Sequence, residues 1–194
     1  MGRVIVLHAP SAGHASPGWQ QRLLQRLPYA RRLELESRTA ESRRASLTGT
    51  ALLMRAAQRL GCGDVGPADL RFPQGAKPRL AGGPYFSISH TPRRVACAAS
   101  RECDLGFDHE DYAGEAPPAR LRRWTAIEAT LKAAGLGLEH AHDVELDPAL
   151  HCSRLERSCF ELMSLDLAPG VVACLAACTL PAAVEIESLE RASL

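Results

Sequence analysis

Apolar positions recur along the chain with two periodicities, one typical of helices and one typical of strands. Residues 39–60 show the helical spacing, with apolar positions at Leu47, Ala51, Met54 and Ala57. Residues 118–134 form a second helical segment, with proline near the start and Gly135 at the end, as helix boundaries favour. The pattern therefore predicts two long helices, together with a short helix over residues 19–27.

Segments with strand character surround both predicted helices. The chain opens with an apolar run at residues 3–7 that predicts a buried strand. The other predicted strands are 84–89, 94–100 and 104–110 after the first long helix, and 143–146, 157–166, 171–178 and 183–187 after the second. A helix followed by strands thus occurs twice, although no repeat is visible at the level of individual residues.

This order of elements predicts an α+β fold with two similar halves, each with a long helix packed on an antiparallel sheet. We place the N-terminal half at residues 1–104 and the C-terminal half at residues 105–194, with the active site between them. A chain of 194 residues is long enough for one large domain or two small ones with a core.

Three carboxylates and one ammonium stand out as candidate chemistry. In the strand over residues 104–110, alternation puts Asp108 and Glu110 on one face and Phe107 and His109 on the other. On the second long helix, Glu128 and Lys132 are one turn apart on the same side. Oxygen ligands of this kind suit Mg²⁺ bound to a phosphate-bearing substrate.

A purely structural interpretation stays open for each segment taken alone. Strands often end in acidic residues where a sheet meets water, and an exposed glutamate and lysine four residues apart contribute only about 0.3–0.5 kcal/mol. Ser89 next to His90 does not form a hydrolase pair, because adjacent strand residues point to opposite faces. No nucleophile-elbow sequence is present either.

Composition narrows the class of protein. A net charge of +1 and a pI near 7.7 argue against a generally basic surface for nucleic acid. The seven cysteines include no Cys-x-x-Cys pair, which favours free thiols in a reducing compartment. No apolar run approaches the length of a membrane span. We therefore expect a cytoplasmic protein with neither nucleic-acid nor membrane partners.

Six short motifs occur in an order and spacing that resemble the 4′-phosphopantetheinyl transferases of the surfactin-synthetase-activating type. They are GAKPRL at 75–80, FSISH at 86–90, VACAA at 95–99, GFDHE at 106–110, WTAIEATLKAAG at 124–135 and PGVVA at 169–173. The resemblance covers roughly residues 70–178. It implies the pseudo-duplicated fold of that family in a single chain, for which we expect a monomer.

Members of that family move the 4′-phosphopantetheine arm of coenzyme A onto a serine of an apo acyl or peptidyl carrier protein, releasing adenosine 3′,5′-bisphosphate. The resemblance implies that Asp108, Glu110 and Glu128 bind Mg²⁺, and that Lys132 contacts the phosphate under attack. Further implied coenzyme A contacts are Lys77, Ser89, His90, Arg32 and Arg44. For the arginines, a register shift of one residue and a merely solvated helix face stay open. Glu128 and a metal-bound water are alternative acceptors of the serine proton.

Three departures from the family pattern support competing hypotheses. Ile127 stands where relatives have lysine, His109 stands between the acidic residues where they have an aliphatic one, and residues 111–123 replace a longer helical excursion. We expect His109 to be a neutral, hydrogen-bonded core residue. The alternatives to transfer are a non-catalytic module that binds coenzyme A or a carrier, and an unrelated magnesium-dependent nucleotide phosphohydrolase.

Overall fold

Two β-sheets stacked face to face lie between two long helices. The computed structural model describes residues 2–11 and 17–189. Its helices are α1 (Pro17–Gln25), α2 (Tyr29–Glu36), α3 (Ala40–Arg59) and α4 (Ala119–Ala134). Its strands are β1 (Arg3–Pro10), β2 (Leu70–Arg71), β3 (Arg79–Leu80), β4 (Tyr85–His90), β5 (Arg94–Ser100), β6 (Leu105–Asp111), β7 (Glu145–Leu146), β8 (Cys152–Leu155), β9 (Ser158–Leu165), β10 (Val171–Ala177) and β11 (Ala183–Ser188).

The predicted helices and strands are confirmed to within a few residues, and the fold belongs to the α+β class. Sequence reasoning missed α2, β8 and the small β2–β3 sheet, all of them short elements. The strand predicted at 143–146 is shortened to β7, because a 3₁₀ helix over Leu138–Asp143 ends at its first residue. No helix within the described residues is long and apolar enough to cross a membrane.

The first sheet has the order β11-β1-β5-β4 and packs against α3. It is not wholly antiparallel as predicted, because β11 runs parallel to β1. Residues 183–188 form β11, which completes a sheet whose other strands lie within residues 3–100. Ile5, Leu7 and Val95 point toward α3, and all three are fully buried. This layer forms the larger hydrophobic core.

The second sheet has the order β6-β10-β9-β8-β7, with α4 on its outer face. Its inner face packs on the first sheet through Phe107 and Leu175, which meet Val4 and Val6. Helix α4 approaches β6 closely at Gly106, where a Cβ atom would lie 1.9 Å from the carbonyl oxygen of Ala129. Only glycine permits this approach, which brings α4 within reach of β6 side chains.

Two buried serines join the sheets where β4 passes β6. The Ser87 hydroxyl accepts from the amide of Phe107 at 3.0 Å and donates to the carbonyl oxygen of the same residue at 3.2 Å. The Ser89 hydroxyl accepts from the amide of His109 at 3.4 Å. Because β6 is an edge strand, these hydroxyls satisfy backbone groups that lack a ladder partner on this side. The serines thereby set the position of β6 against the first sheet.

Candidate metal centre and adjoining cavity

Asp108 is the buried centre of the site. Asp108 is 2% exposed. Its Oδ1 accepts hydrogen bonds from the Ser89 hydroxyl at 2.8 Å and from Lys132 Nζ at 2.5 Å. The other oxygen, Oδ2, is buried without a hydrogen-bond partner. A buried carboxylate oxygen without a partner is costly, so Oδ2 points to a ligand that the protein itself does not supply.

Glu110 and Glu128 complete an acidic triad with Asp108. One carboxylate oxygen from each residue lies within 4.8 Å of the others. Glu110 comes from the same face of β6 as Asp108, as the strand alternation predicted, and Glu128 projects from α4. Burial raises the pKa of Glu128, and the neighbouring Asp108 raises it further. Burial, followed by repulsion from Asp108 and Glu128, also raises the pKa of Glu110.

The donor set fits a hard divalent cation. Three carboxylates within 4.8 Å repel one another, and the raised pKa values of Glu110 and Glu128 express the cost of holding that charge in a partly buried place. Oxygen ligands are those that Mg²⁺ prefers, and Asp108 Oδ2 offers a free lone pair. Asp108, Glu110 and Glu128 are therefore the residues that would hold such an ion, while His109 faces away from them.

Lys132 connects the triad to a large cavity. Its ammonium lies 2.5 Å from Asp108 Oδ1 and 3.5 Å from Glu128 Oε2. The same side chain is 30% exposed and lines a cavity of about 700 Å³. A volume of this size lies within the usual range for small-molecule sites. Lys132 thus lies beside the acidic triad and also lines a pocket large enough for a nucleotide cofactor.

The cavity has mainly basic walls, with Glu139 as its acidic side chain. Residues of α2, α3 and β4 form one side, and the end of α4 with the following turn forms the other. Its ionisable basic side chains are Arg31, Arg38, Lys77, His90, Lys132 and His140. Apolar surface comes from Leu53, Phe72 and Phe86 among others. This combination suits a ligand with a flat apolar part and several phosphate charges.

His90, Lys77 and Ser89, which we expected around the nucleotide, differ in whether their side chains reach the cavity. His90 is exposed and lines the cavity, and its pKa is lowered by desolvation of the ring and then by the cations Lys132 and Arg38. Lys77 also lines the cavity, but its ammonium bonds Asp104 and the carbonyl oxygen of Leu105. Ser89 is buried behind Asp108. Its hydroxyl holds that carboxylate, and its predicted contact with coenzyme A stays a prediction.

The two arginines expected to bind coenzyme A do not line this cavity. Arg32 lies over the ring of Tyr29 at 5.2 Å, and Arg44 Nε donates to the carbonyl oxygen of Ser11 at 3.0 Å. Arg31 and Arg38 line it instead. Arg31 stacks over Phe72 at 4.5 Å, and both arginines bond Glu34, at 2.6 and 2.5 Å. The sequence match left a register shift of one residue open. Such a shift accounts for the presence of Arg31, and not Arg32, in the cavity wall.

His109 is as deeply buried as expected, with a different hydrogen-bond environment. The residue is 1% exposed and stacks on Phe107 with ring centroids 5.9 Å apart. Burial lowers its pKa to about 3, so the ring is neutral, and neither ring nitrogen has a hydrogen-bond partner. The buried, neutral ring is as expected, and the backbone of Arg94 near it raises its pKa less than burial lowers it.

Two features matter that sequence reasoning passed over, namely the packing role of Gly106 and the small number of lysines. Gly106 brings α4 against β6, and its signal in the sequence was a glycine inside an otherwise regular strand. The other is the lysine content, since Lys77 and Lys132 are the only lysines among 23 lysines and arginines. Both line the cavity. Lysine differs from arginine in presenting a compact charge on a flexible chain, so these two positions are chemically distinct from the rest.

Comparison with protein-family models gives no match for this sequence, and comparison with curated proteins gives none either.

Proposed function

We propose that this chain transfers 4′-phosphopantetheine from coenzyme A to a serine of an apo acyl or peptidyl carrier protein. The observation that supports it most is the joining of an acidic triad to a basic cavity through Lys132. A pyrophosphate bound in the cavity would reach the triad at the Lys132 end. The order of the six motifs, two of which contain the triad and Lys132, adds further support.

The chain's own residues can perform the required steps. The serine oxygen attacks phosphorus, a new O–P bond forms, and the bond to the departing adenosine 3′,5′-bisphosphate breaks. Lys132 can donate to the phosphate oxygens as charge develops on them. Glu128, with its raised pKa, is a suitable acceptor for the serine proton, and water is the alternative. A bound Mg²⁺ would supply charge neutralisation at the pyrophosphate.

The pseudo-duplicated arrangement of the family belongs to the same proposal. Helix α3 covers the outer face of one sheet, and α4 covers the outer face of the other. The two helices bring residues from opposite sides to the cavity, Ser46 and Thr50 from α3 and Lys132 from α4. This arrangement supports two related halves with the site between them.

A binding module without transfer activity is the second candidate. Ile127 is partly buried and packs against the core cluster of Leu131 and Phe160, at the position that is basic in the family. The connection between β6 and α4 contains no regular element, and it replaces the helical excursion of relatives. These features affect carrier recognition, whereas the triad and Lys132 are present.

The test is intact-mass analysis of a panel of apo acyl and peptidyl carriers after incubation with the protein, Mg²⁺ and coenzyme A. We expect one phosphopantetheine to be added, with loss of the reaction in chelator and in the Asp108→Asn variant. Asp166→Asn is the matched control, because Asp166 is exposed and outside the site. Coenzyme A binding without any product would favour the binding module. Release of phosphopantetheine or phosphate without carrier would favour the phosphohydrolase.

A further inference from the structure

Lys132 already provides a cation to the acidic triad. Its ammonium contacts Asp108 at 2.5 Å and Glu128 at 3.5 Å, so it lies beside two of the three carboxylates. The side chain of Asp108 is only 3% exposed, which makes this ion pair largely inaccessible to water on its acidic side. The Coulomb attraction within such a pair is screened less than that of a pair on the surface.

One ammonium does not neutralise three carboxylates. One carboxylate oxygen from each of the three residues lies within 4.8 Å of the others, while Lys132 forms ion pairs with Asp108 and Glu128. Asp108 Oδ2 also has no donor. A divalent cation would remove more of this repulsion than an ammonium does. Its charge would also repel Lys132 at a separation of only a few ångströms, where two cations interact strongly in a partly buried site.

We propose that Lys132 is a resident counter-ion of the triad, which a divalent cation displaces toward the cavity, so that the metal and an anionic cavity ligand bind cooperatively. The inference rests on the metal site of the proposed function and adds how that site is regulated. A metal that displaces Lys132 frees its charge for an anion. An anion that attracts Lys132 in turn makes the triad a better metal site, and this coupling is necessarily reciprocal.

The position of Lys132 makes this movement geometrically simple. Its side chain borders both the triad and the cavity, and 30% of it is accessible. Lysine has a flexible stem with several rotatable bonds, so the ammonium can change partners without a backbone shift. Lys77, the other lysine, cannot replace it at the triad, because its ammonium bonds Asp104 and the Leu105 carbonyl.

The first test measures Mn²⁺ affinity of the protein alone, from the electron paramagnetic resonance of the free ion. Losing a metal ligand weakens binding, but losing a competing cation strengthens it. We expect Lys132→Met to bind Mn²⁺ roughly tenfold to a hundredfold more tightly, the range of a hydrogen bond between charged groups. Lys132→Arg should stay close to the wild type, and Lys77→Met should leave the affinity unchanged. Equal or weaker binding by Lys132→Met would overturn the proposal.

The second test follows the ammonium itself. Because the chain has only two lysines, ¹³C labelling at lysine Cε gives two signals, and Lys77→Arg assigns them. Adding Mg²⁺ should shift the Lys132 signal and leave that of Lys77 in place. Coenzyme A should lower the Mg²⁺ concentration needed for the shift. A Lys132 signal that does not respond to saturating Mg²⁺ would contradict displacement.

These outcomes separate the inference from the function on which it rests. Tighter metal binding by Lys132→Met, without transfer to any carrier by the wild type, supports the counter-ion role and argues against the transferase. Transfer by the wild type, with no gain of Mn²⁺ affinity in Lys132→Met, supports the transferase and argues against the counter-ion role. An absence of metal binding by both proteins overturns the counter-ion role together with the metal centre.

Discussion

Replacing Ser89 with alanine tests whether this hydroxyl positions a metal ligand. In the structure, Ser89 is 4% exposed and donates to Asp108 Oδ1 at 2.8 Å. Alanine removes that donor and leaves the amide of His109 without its acceptor at 3.4 Å. Asp108 would keep Lys132 as its remaining donor and lose the contact that holds its carboxylate against β4.

The magnitude follows from the two lost contacts. A hydrogen bond to a charged group contributes about 1.5–3 kcal/mol, and the long bond from the His109 amide adds little, so we expect about 2–3 kcal/mol of lost stability. Removing a group that orients a metal ligand typically costs about 10–100-fold in metal affinity. The Ser89→Ala variant should therefore lose both stability and Mg²⁺ affinity.

Ser87→Ala is the matched control, because Ser87 makes the same type of bridge one pleat away. It bonds the amide and carbonyl of Phe107, and it contacts no carboxylate. Its removal leaves two buried backbone groups without partners, again at a cost of about 2–3 kcal/mol. Urea unfolding should show similar losses for both variants, whereas calorimetric titration with Mg²⁺ should show a loss only for Ser89→Ala.

Equal Mg²⁺ affinities in the two variants would refute the positioning role of Ser89. Equal losses of Mg²⁺ affinity would mean that the serine bridges between the two sheets affect the metal site, and that the hydrogen bond from Ser89 to Asp108 has no separate effect. An unchanged affinity in both would mean that Asp108 keeps its orientation through Lys132 and β6 alone.

Three other predictions concern packing, pH and the cavity. The Gly106→Ala variant should unfold at a markedly lower temperature than the wild type and bind Mg²⁺ more weakly. The reason is that a Cβ atom 1.9 Å from the Ala129 oxygen forces α4 away from β6. An unchanged melting temperature would contradict the close packing. The His109 pKa, lowered to about 3, predicts that stability decreases as the pH falls from 7 to 5, by about 2 kcal/mol for this residue. Urea unfolding of His109→Leu should show a correspondingly weaker pH dependence, and an equal one would refute the buried neutral ring. Calorimetry should show that Arg38→Met weakens coenzyme A binding about tenfold and that Arg32→Met has little effect, because Arg38 lines the cavity and Arg32 does not. A larger loss of affinity in Arg32→Met than in Arg38→Met would favour Arg32, the residue chosen from the sequence.

The sign of the pH effect follows from the unfolded state. An unfolded histidine takes up a proton near pH 6.5, whereas the buried His109 ring does so only near pH 3. The unfolded chain therefore binds more protons between these values, and the stability from the neutral ring, complete above pH 6.5, is lost as the pH falls through this range. Glu110 and Glu128 act in the opposite direction through their raised pKa values. Comparing wild type with His109→Leu isolates the histidine contribution.

The sequence by itself determined the elements with strong periodicity. The apolar stripe of residues 39–60 and the boundaries of residues 118–134 identified α3 and α4 almost to the residue. Alternation along β6 placed Asp108 and Glu110 on a common face, and helical spacing paired Glu128 with Lys132. These inferences succeed because they depend on local geometry, which repeats with a fixed period.

Only the tertiary structure decided which residues from separate elements meet. The contact between α4 and β6 at Gly106 brings Glu128 to Asp108, and the passage of β4 beside β6 turns Ser89 toward a carboxylate. Orientation of α2 puts Arg31 and not Arg32 in the cavity wall, and the return of β11 to β1 makes the first sheet mixed. Such contacts join residues far apart in the chain. Their formation depends on packing between layers, which no local period encodes.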